Sequence, residues 1–166
     1  MQGSDQQGSV PDGEARPLSR TAIVSEARSW IGTPYRHQAS LKGAGADCLG
    51  LIRGVYRVFC GPEKEPITPY SPNWAEETGQ ETLRDAARRH LVEIDAAAFR
   101  DGEPLKESDV ILIRVRDRGP AKHAAIASGP DAIIHAYDRH AVAENALPAA
   151  WRRRIAYAFQ FPDVTD

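Results

Sequence analysis

Cys48, His123 and His135 are the residues of this 166-residue chain whose types and places suit covalent chemistry. Cys48 follows the glycine-rich stretch "KGAGAD" and opens "CLGLIRGVYRVFC", in which Leu51, Ile52, Val55, Tyr56 and Phe59 form one helical stripe. Asp47 fits an N-cap, so Cys48 stands at the first helical position, where the positive end of the helix dipole favours a thiolate. A thiolate there is a nucleophile, although the Asp47 charge works against it. The plainer reading is an inert, buried cysteine that happens to start a helix.

The histidines add a base. His123 and His135 lie in "KHAAIAS" (122–128) and "AIIHAY" (132–137), two strand-like stretches joined by a "GPD" turn. A hairpin register pairing 123 with 135 sets the imidazoles opposite one another, and one pairing 123 with 137 makes them diagonal neighbours. Both registers put the rings on one face, and a one-residue slip between them would part the rings. Ala124, Ala125 and Ala127 leave room for a close helix, and Gly50 and Gly54 suit such contact, so the Cys48 helix is expected across that face. Nucleophile, base and orienting group would then be Cys48, His123 and His135. The same three types suit zinc, but no close-spaced ligand pair such as CxxC is present, and no metal is expected. Cys60 lies roughly 18 Å from Cys48 along the helix, beyond the ~7 Å Cα limit for a disulfide, and reads as a small apolar residue. His90 falls on a helix seam, His37 in the loop before Cys48, and His140 in a turn.

The elements that must position these groups follow from periodicity. Ile23, Val24, Ala27, Trp30 and Ile31 fall at helical spacing and stop at Gly32 and Pro34. Thr78 and Glu81 make a capping-box spacing ahead of Leu83, Ala86, Ala87, His90 and Leu91. From residue 109 onward the period changes to that of strands: 109–116, 122–128, 132–137, 140–144 and 154–161. Helices first and then consecutive strands predict an α+β domain with an antiparallel sheet. Residues 1–18 are polar and read as a flexible tail, 19–162 as the folded domain, and 163–166 as a short C-terminal tail.

Composition narrows the function classes. A net charge of −2 with no long basic run argues against a nucleic-acid partner, and Arg152 to Arg154 read as a solvated strand entry. No apolar run reaches the roughly 18 residues of a membrane span. The N-terminus has neither the basic start nor the apolar centre of a secretory signal.

"WIGTPYR" (30–36), "GADCLGL" (45–51), "SDVILIRV" (108–115), "KHAAIA" (122–127) and "AIIHAY" (132–137), taken as an ordered set, resemble the NlpC-type cysteine peptidases of papain-like fold. "PYRHQASLKG", "DCLGLIRGVYR" and "WRRRIAYAFQFP" resemble the phage-tail and gene-transfer-agent branch of that family. The resemblance implies N-terminal helices on an antiparallel sheet of five to six strands. It implies Cys48 as nucleophile, His123 as general base, His135 as the orienting residue, Tyr35 as an oxyanion donor and Asp47 as a contact for a stem-peptide amine. Leu49 departs from the serine that many relatives carry after the cysteine. The implied reaction is hydrolysis of a peptidoglycan stem-peptide amide, between D-glutamate and diaminopimelate, without a cofactor. The implied partners are tail-tip or baseplate proteins of a phage-like particle. Synthesis in the cytoplasm without a signal peptide and delivery by a virion to the periplasmic cell wall fit that reading. The other reading is a structural tail-tip or adaptor protein that keeps the fold with little activity.

Overall fold

The computed structural model describes residues 18–66, 69 and 79–166. Most of the expected N-terminal tail lies outside the described residues, as do Tyr70, Trp74 and Thr78 of the proline-rich stretch. Five helices are described: α1 (Arg20–Arg28), α2 (Cys48–Cys60), α3 (Thr82–His90), α4 (Ala97–Arg100) and α5 (Ala149–Arg152). The main sheet has the order β4-β9-β5-β6-β7-β8 and is antiparallel throughout, from β4 (Val92–Ile94), β5 (Val110–Arg114), β6 (Ala121–Gly129), β7 (Ala132–Ala136), β8 (Val142–Ala146) and β9 (Ile155–Gln160). This is the expected α+β architecture; β4 is the strand that periodicity did not mark.

The sheet has a core on each face. On one, Leu51 and Val55 of α2 and Ile23 and Val24 of α1 pack with Ala124, Ile126, Ile134 and Ala136. On the other, Phe99 of α4 and Leu105 pack with Ala125, Ala127 and Ile133. Strand alternation divides the two sets: even-numbered positions of β6 and β7 near this point face α2, and odd-numbered ones face away.

Ser19 caps α1 by accepting from Ala22 N at 3.1 Å. Helix α3 begins at Thr82 rather than after Thr78, because Glu81 is drawn elsewhere: its carboxylate accepts from Ala121 N at 3.0 Å and pairs with Arg114. The glycines of α2 do permit close approach, but to different neighbours from those expected. A Cβ at Gly50 would lie 1.8 Å from Ala39 O, and one at Gly54 would lie 2.0 Å from the Trp30 ring. They admit the loop before Cys48 and the end of the α1 segment, while the branched residues of α2 meet the sheet.

Residues 163–166, read as a tail, belong to the fold. Val164–Thr165 (β10) pairs in parallel with Leu18–Ser19 (β1), and Val164 packs on the core. The Arg20 guanidinium bonds to Glu107 O, Ser108 Oγ and Asp109 at 2.9–3.2 Å and to Asp166 at 2.8 Å, tying the C-terminus to the start of β5. A fork of planar donors can bridge several acceptors in this way.

Gly50→Ala is expected to lower the urea midpoint despite alanine's better helix propensity. The added carbon must displace the Ala39 carbonyl, a net loss of about 1–3 kcal/mol. An unchanged midpoint would show that the loop yields freely.

Candidate functional site

Helix α2 starts where Asp47 makes it start. Its Oδ1 accepts from Gly50 N at 2.7 Å, and its Oδ2 accepts from Gln38 N at 2.7 Å, with His37 Nδ1 at 3.8 Å. Asp47 is 2% exposed, so this one carboxylate caps the helix and fixes the preceding loop from beneath. Ser40–Leu41 (β2) and Gly45–Ala46 (β3) form a two-stranded ribbon in that loop, and Tyr35 bridges to Ala46 beside it.

The Cys48 sulfur meets the sheet in an unusual place. Strand β6 extends to Ala121 and β7 to Ala136, yet their register runs only from Ile126↔Ile134 to Gly129↔Ala132. Ala127 N donates to Asp109 O and Ala127 O accepts from Ser108 N, on the β5 side. By alternation Ala124 directs its backbone toward β7, where the ladder has stopped. The sulfur takes that position. It contacts Lys122 O at 3.9 Å, and the N–H groups of Ala124, Leu49 and Cys48 favour its thiolate. It therefore touches β6 on both sides of His123. A register shift between Ile113 and Arg114 falls opposite 121–123, a bulge of the kind that re-aims a side chain.

The two imidazoles come together. His123 Nε2 and His135 Nδ1 are 2.9 Å apart, and both residues are 7% exposed. Extending the observed register pairs position 123 with 137, the diagonal arrangement. They share a face, but not the face that α2 covers. Both rings lie edge-on to Trp151, at 5.2 and 5.6 Å, and Trp151 packs against the second core. The expectation that α2 lies across the histidine face is thus corrected: helix and imidazoles approach the opening between β6 and β7 from opposite sides. The sulfur's own hydrogen bond ends one residue short of His123, and catalytic hydrogen bonds often tighten only when substrate is bound.

Electrostatics keep every partner neutral. Burial, then the Asp47 charge, pushes the Cys48 thiol up to about 12, against the pull of the three N–H groups. Burial, then His135, pushes His123 down to about 3, and burial lowers His135 as well. Burial raises Tyr35 to about 12, followed by the charges of Cys48, Asp47 and Asp138, so its phenol stays a donor beside the thiol. The helix dipole expected to favour thiolate is outweighed by desolvation.

Two residues escaped sequence reading. Asn145 Oδ1 lies 3.1 Å from His135 Nε2, one residue beyond the stretch 140–144 read as a strand. Extending that strand's alternation by one residue would have placed a polar group on the histidine face. Trp151 stands on α5, where Arg152 holds the helix through Phe99 O, Glu103 O, Pro130 O and Asp131 at 2.6–3.3 Å. Arg152 is therefore a clamp rather than a solvated strand entry. Among the described residues no cluster of three metal-ligating side chains occurs, and no helix is long and apolar enough to cross a membrane.

No family model and no curated protein sequence matches this chain significantly. Solved structures do match. The NlpC/p60 domain of the peptidoglycan hydrolase SagA aligns over 87% of this chain and 100% of that one, at 24% identity and a TM-score of 0.54. An NlpC/p60 family protein from Bacillus cereus aligns over 89% of this chain at 19% identity and a TM-score of 0.60. NlpC1 from Trichomonas vaginalis aligns over 94% at 15% identity and a TM-score of 0.53. This chain spans 41% and 48% of those two proteins' lengths. It has the fold of the NlpC/p60 domains.

Asp47→Asn keeps the helix cap and removes the charge beside the sulfur. In a Cys60→Ala background, the ultraviolet absorbance of the Cys48 thiolate is expected to titrate at lower pH in the Asn variant. An unchanged or raised midpoint would remove Asp47 from the list of causes. The histidines set the acid limb of stability. Their folded pKa values lie below the ordinary 6.5, so the unfolded chain binds protons first. Their stabilising effect is complete above about pH 6.5 and drains away as pH falls, for His123 toward about 3. Denaturant midpoints between those limits should fall with acid, and less steeply in His135→Asn; equal slopes would contradict it.

Proposed function

We propose that this chain is a cysteine peptidase that hydrolyses a stem-peptide amide of peptidoglycan. The observation that carries this reading is the seat of the Cys48 sulfur at a helix start, against the backbone flanking a histidine whose far nitrogen is held by a second histidine. The NlpC/p60 fold points the same way, since one matching domain belongs to a peptidoglycan hydrolase.

In this reading the thiol and imidazole begin neutral. As Cys48 Sγ bonds to the scissile carbonyl carbon, His123 takes the thiol proton, so charge separates only during attack. The carbonyl oxygen becomes an oxyanion near the N–H groups at the start of α2 and the Tyr35 phenol. As the C–N bond breaks, the His123 imidazolium returns its proton to the leaving amine and a thioester remains. Water, deprotonated by His123, adds to the thioester, and the C–S bond breaks to give the carboxylate and the free thiol. His135 orients His123 throughout. Asp47 fixes the floor of the site; the direct contact with a stem-peptide amine implied by the resemblance would require release of one oxygen from Gln38 N.

The finer reading is cleavage between D-glutamate and diaminopimelate by a peptidase carried on a phage-like tail, docked to tail-tip or baseplate proteins. It rests on the segments "PYRHQASLKG", "DCLGLIRGVYR" and "WRRRIAYAFQFP". Cys48→Ala is expected to abolish release of peptides from purified peptidoglycan with the thermal midpoint retained, and the wild-type products should begin with diaminopimelate. Release undiminished by the substitution would refute the nucleophile, and a different new terminus would refute the bond.

A further inference from the structure

The histidine pair does not end at His135. Ile133 of β7 pairs with Asn145 of β8, and His135 pairs with Ala143, so Asn145 is the diagonal neighbour of His135 on the same face. On the other side, extending the β6–β7 register past its last pair sets His123 in the matching diagonal relation. Three side chains on three successive strands thus form one line, with contacts of 2.9 Å and 3.1 Å.

We propose that Asn145 is a positioning residue that sets the tautomers of both imidazoles, leaving His123 Nδ1 as the basic nitrogen. The inference rests on the peptidase reading for its catalytic meaning, but its structural content stands apart from it. An amide oxygen only accepts, so His135 Nε2 carries a hydrogen and donates it to Asn145 Oδ1. In a neutral His135 the Nδ1 is then bare and accepts, so His123 Nε2 must donate. In a neutral His123 the one lone pair left is on Nδ1. Were the amide reversed, each proton would shift along the line and Nδ1 of His123 would be blocked. Neutrality is what makes the argument propagate, and burial of the two imidazoles, with Trp151 against both rings, supports it. An orienting acceptor that holds a histidine in its productive tautomer has a known catalytic worth, as in the serine protease triad.

The test is the tautomer itself. In full-length protein labelled with ¹⁵N-histidine, long-range ¹H–¹⁵N correlation spectra read each ring. Both His123 and His135 are expected as Nε2–H forms. Asn145→Leu should give mixed or Nδ1–H forms and lower kcat for peptide release about tenfold or more, with KM little changed. Asn145→Asp, which keeps an acceptor, should restore the Nε2–H forms and most of kcat, guarding against a Leu variant that folds poorly. A wild-type His135 found as Nδ1–H would overturn the proposal. So would tautomers that persist in a folded Asn145→Leu protein, whatever happens to its rate. A wild-type protein inactive on peptidoglycan would count against the peptidase reading alone, because the spectra are read without turnover.

Discussion

The site depends on two neighbouring strands ceasing to pair. Strands β6 and β7 continue past Ile126 and Ile134, but their ladder does not, and the backbone of Ala124 is left facing an opening. A buried backbone N–H needs a partner. Here a cysteine sulfur from the start of α2 approaches it. Gly50 and Gly54 must have no side chain because Ala39 O and the Trp30 ring close on the helix from the other side. The helix is pressed between the sheet on one side and Ala39 and Trp30 on the other. Asp47, buried under the helix start, holds the arrangement by accepting from Gly50 and Gln38.

The opening also lets two faces of a sheet act on one point. The sulfur arrives from the α2 side, and the imidazoles stand on the far side behind Trp151. Desolvation of the titrating groups decides the electrostatics: thiol, phenol and imidazoles are all held in their neutral forms. In the proposed reaction this means the proton moves with the attack, rather than being shared beforehand in a thiolate–imidazolium pair. Neutral imidazoles are directional, with one donor and one acceptor each, and so can be ordered by a single amide at the end of the line.

Much of this was legible in the sequence, and the parts that were not have physical reasons. The N-cap aspartate, the cysteine at the helix start and the shared face of the two histidines follow from local rules, because capping and strand parity are local; opposite and diagonal registers both met that parity. Which face α2 covers is not local: it depends on the bulge near His123 and on where the β6–β7 ladder stops. Asn145 lay beyond an "AVAE" alternation that looked complete, and Trp151 sits in a one-turn helix too short to leave a period. The C-terminal residues looked like a tail because their anchor is Arg20, at the opposite end of the chain. Glu81 looked like half of a capping box, but an arginine and a strand N–H compete for its carboxylate.

The most direct measurement of the central claim is the rate at which iodoacetamide alkylates Cys48 at neutral pH, with His123 present and with His123→Gln, both in a Cys60→Ala background. If His123 takes the proton from this sulfur, the glutamine protein should react at least about tenfold more slowly. Equal or faster alkylation of the glutamine protein would mean that the sulfur and the imidazole, though both at the same opening in the sheet, do not work together.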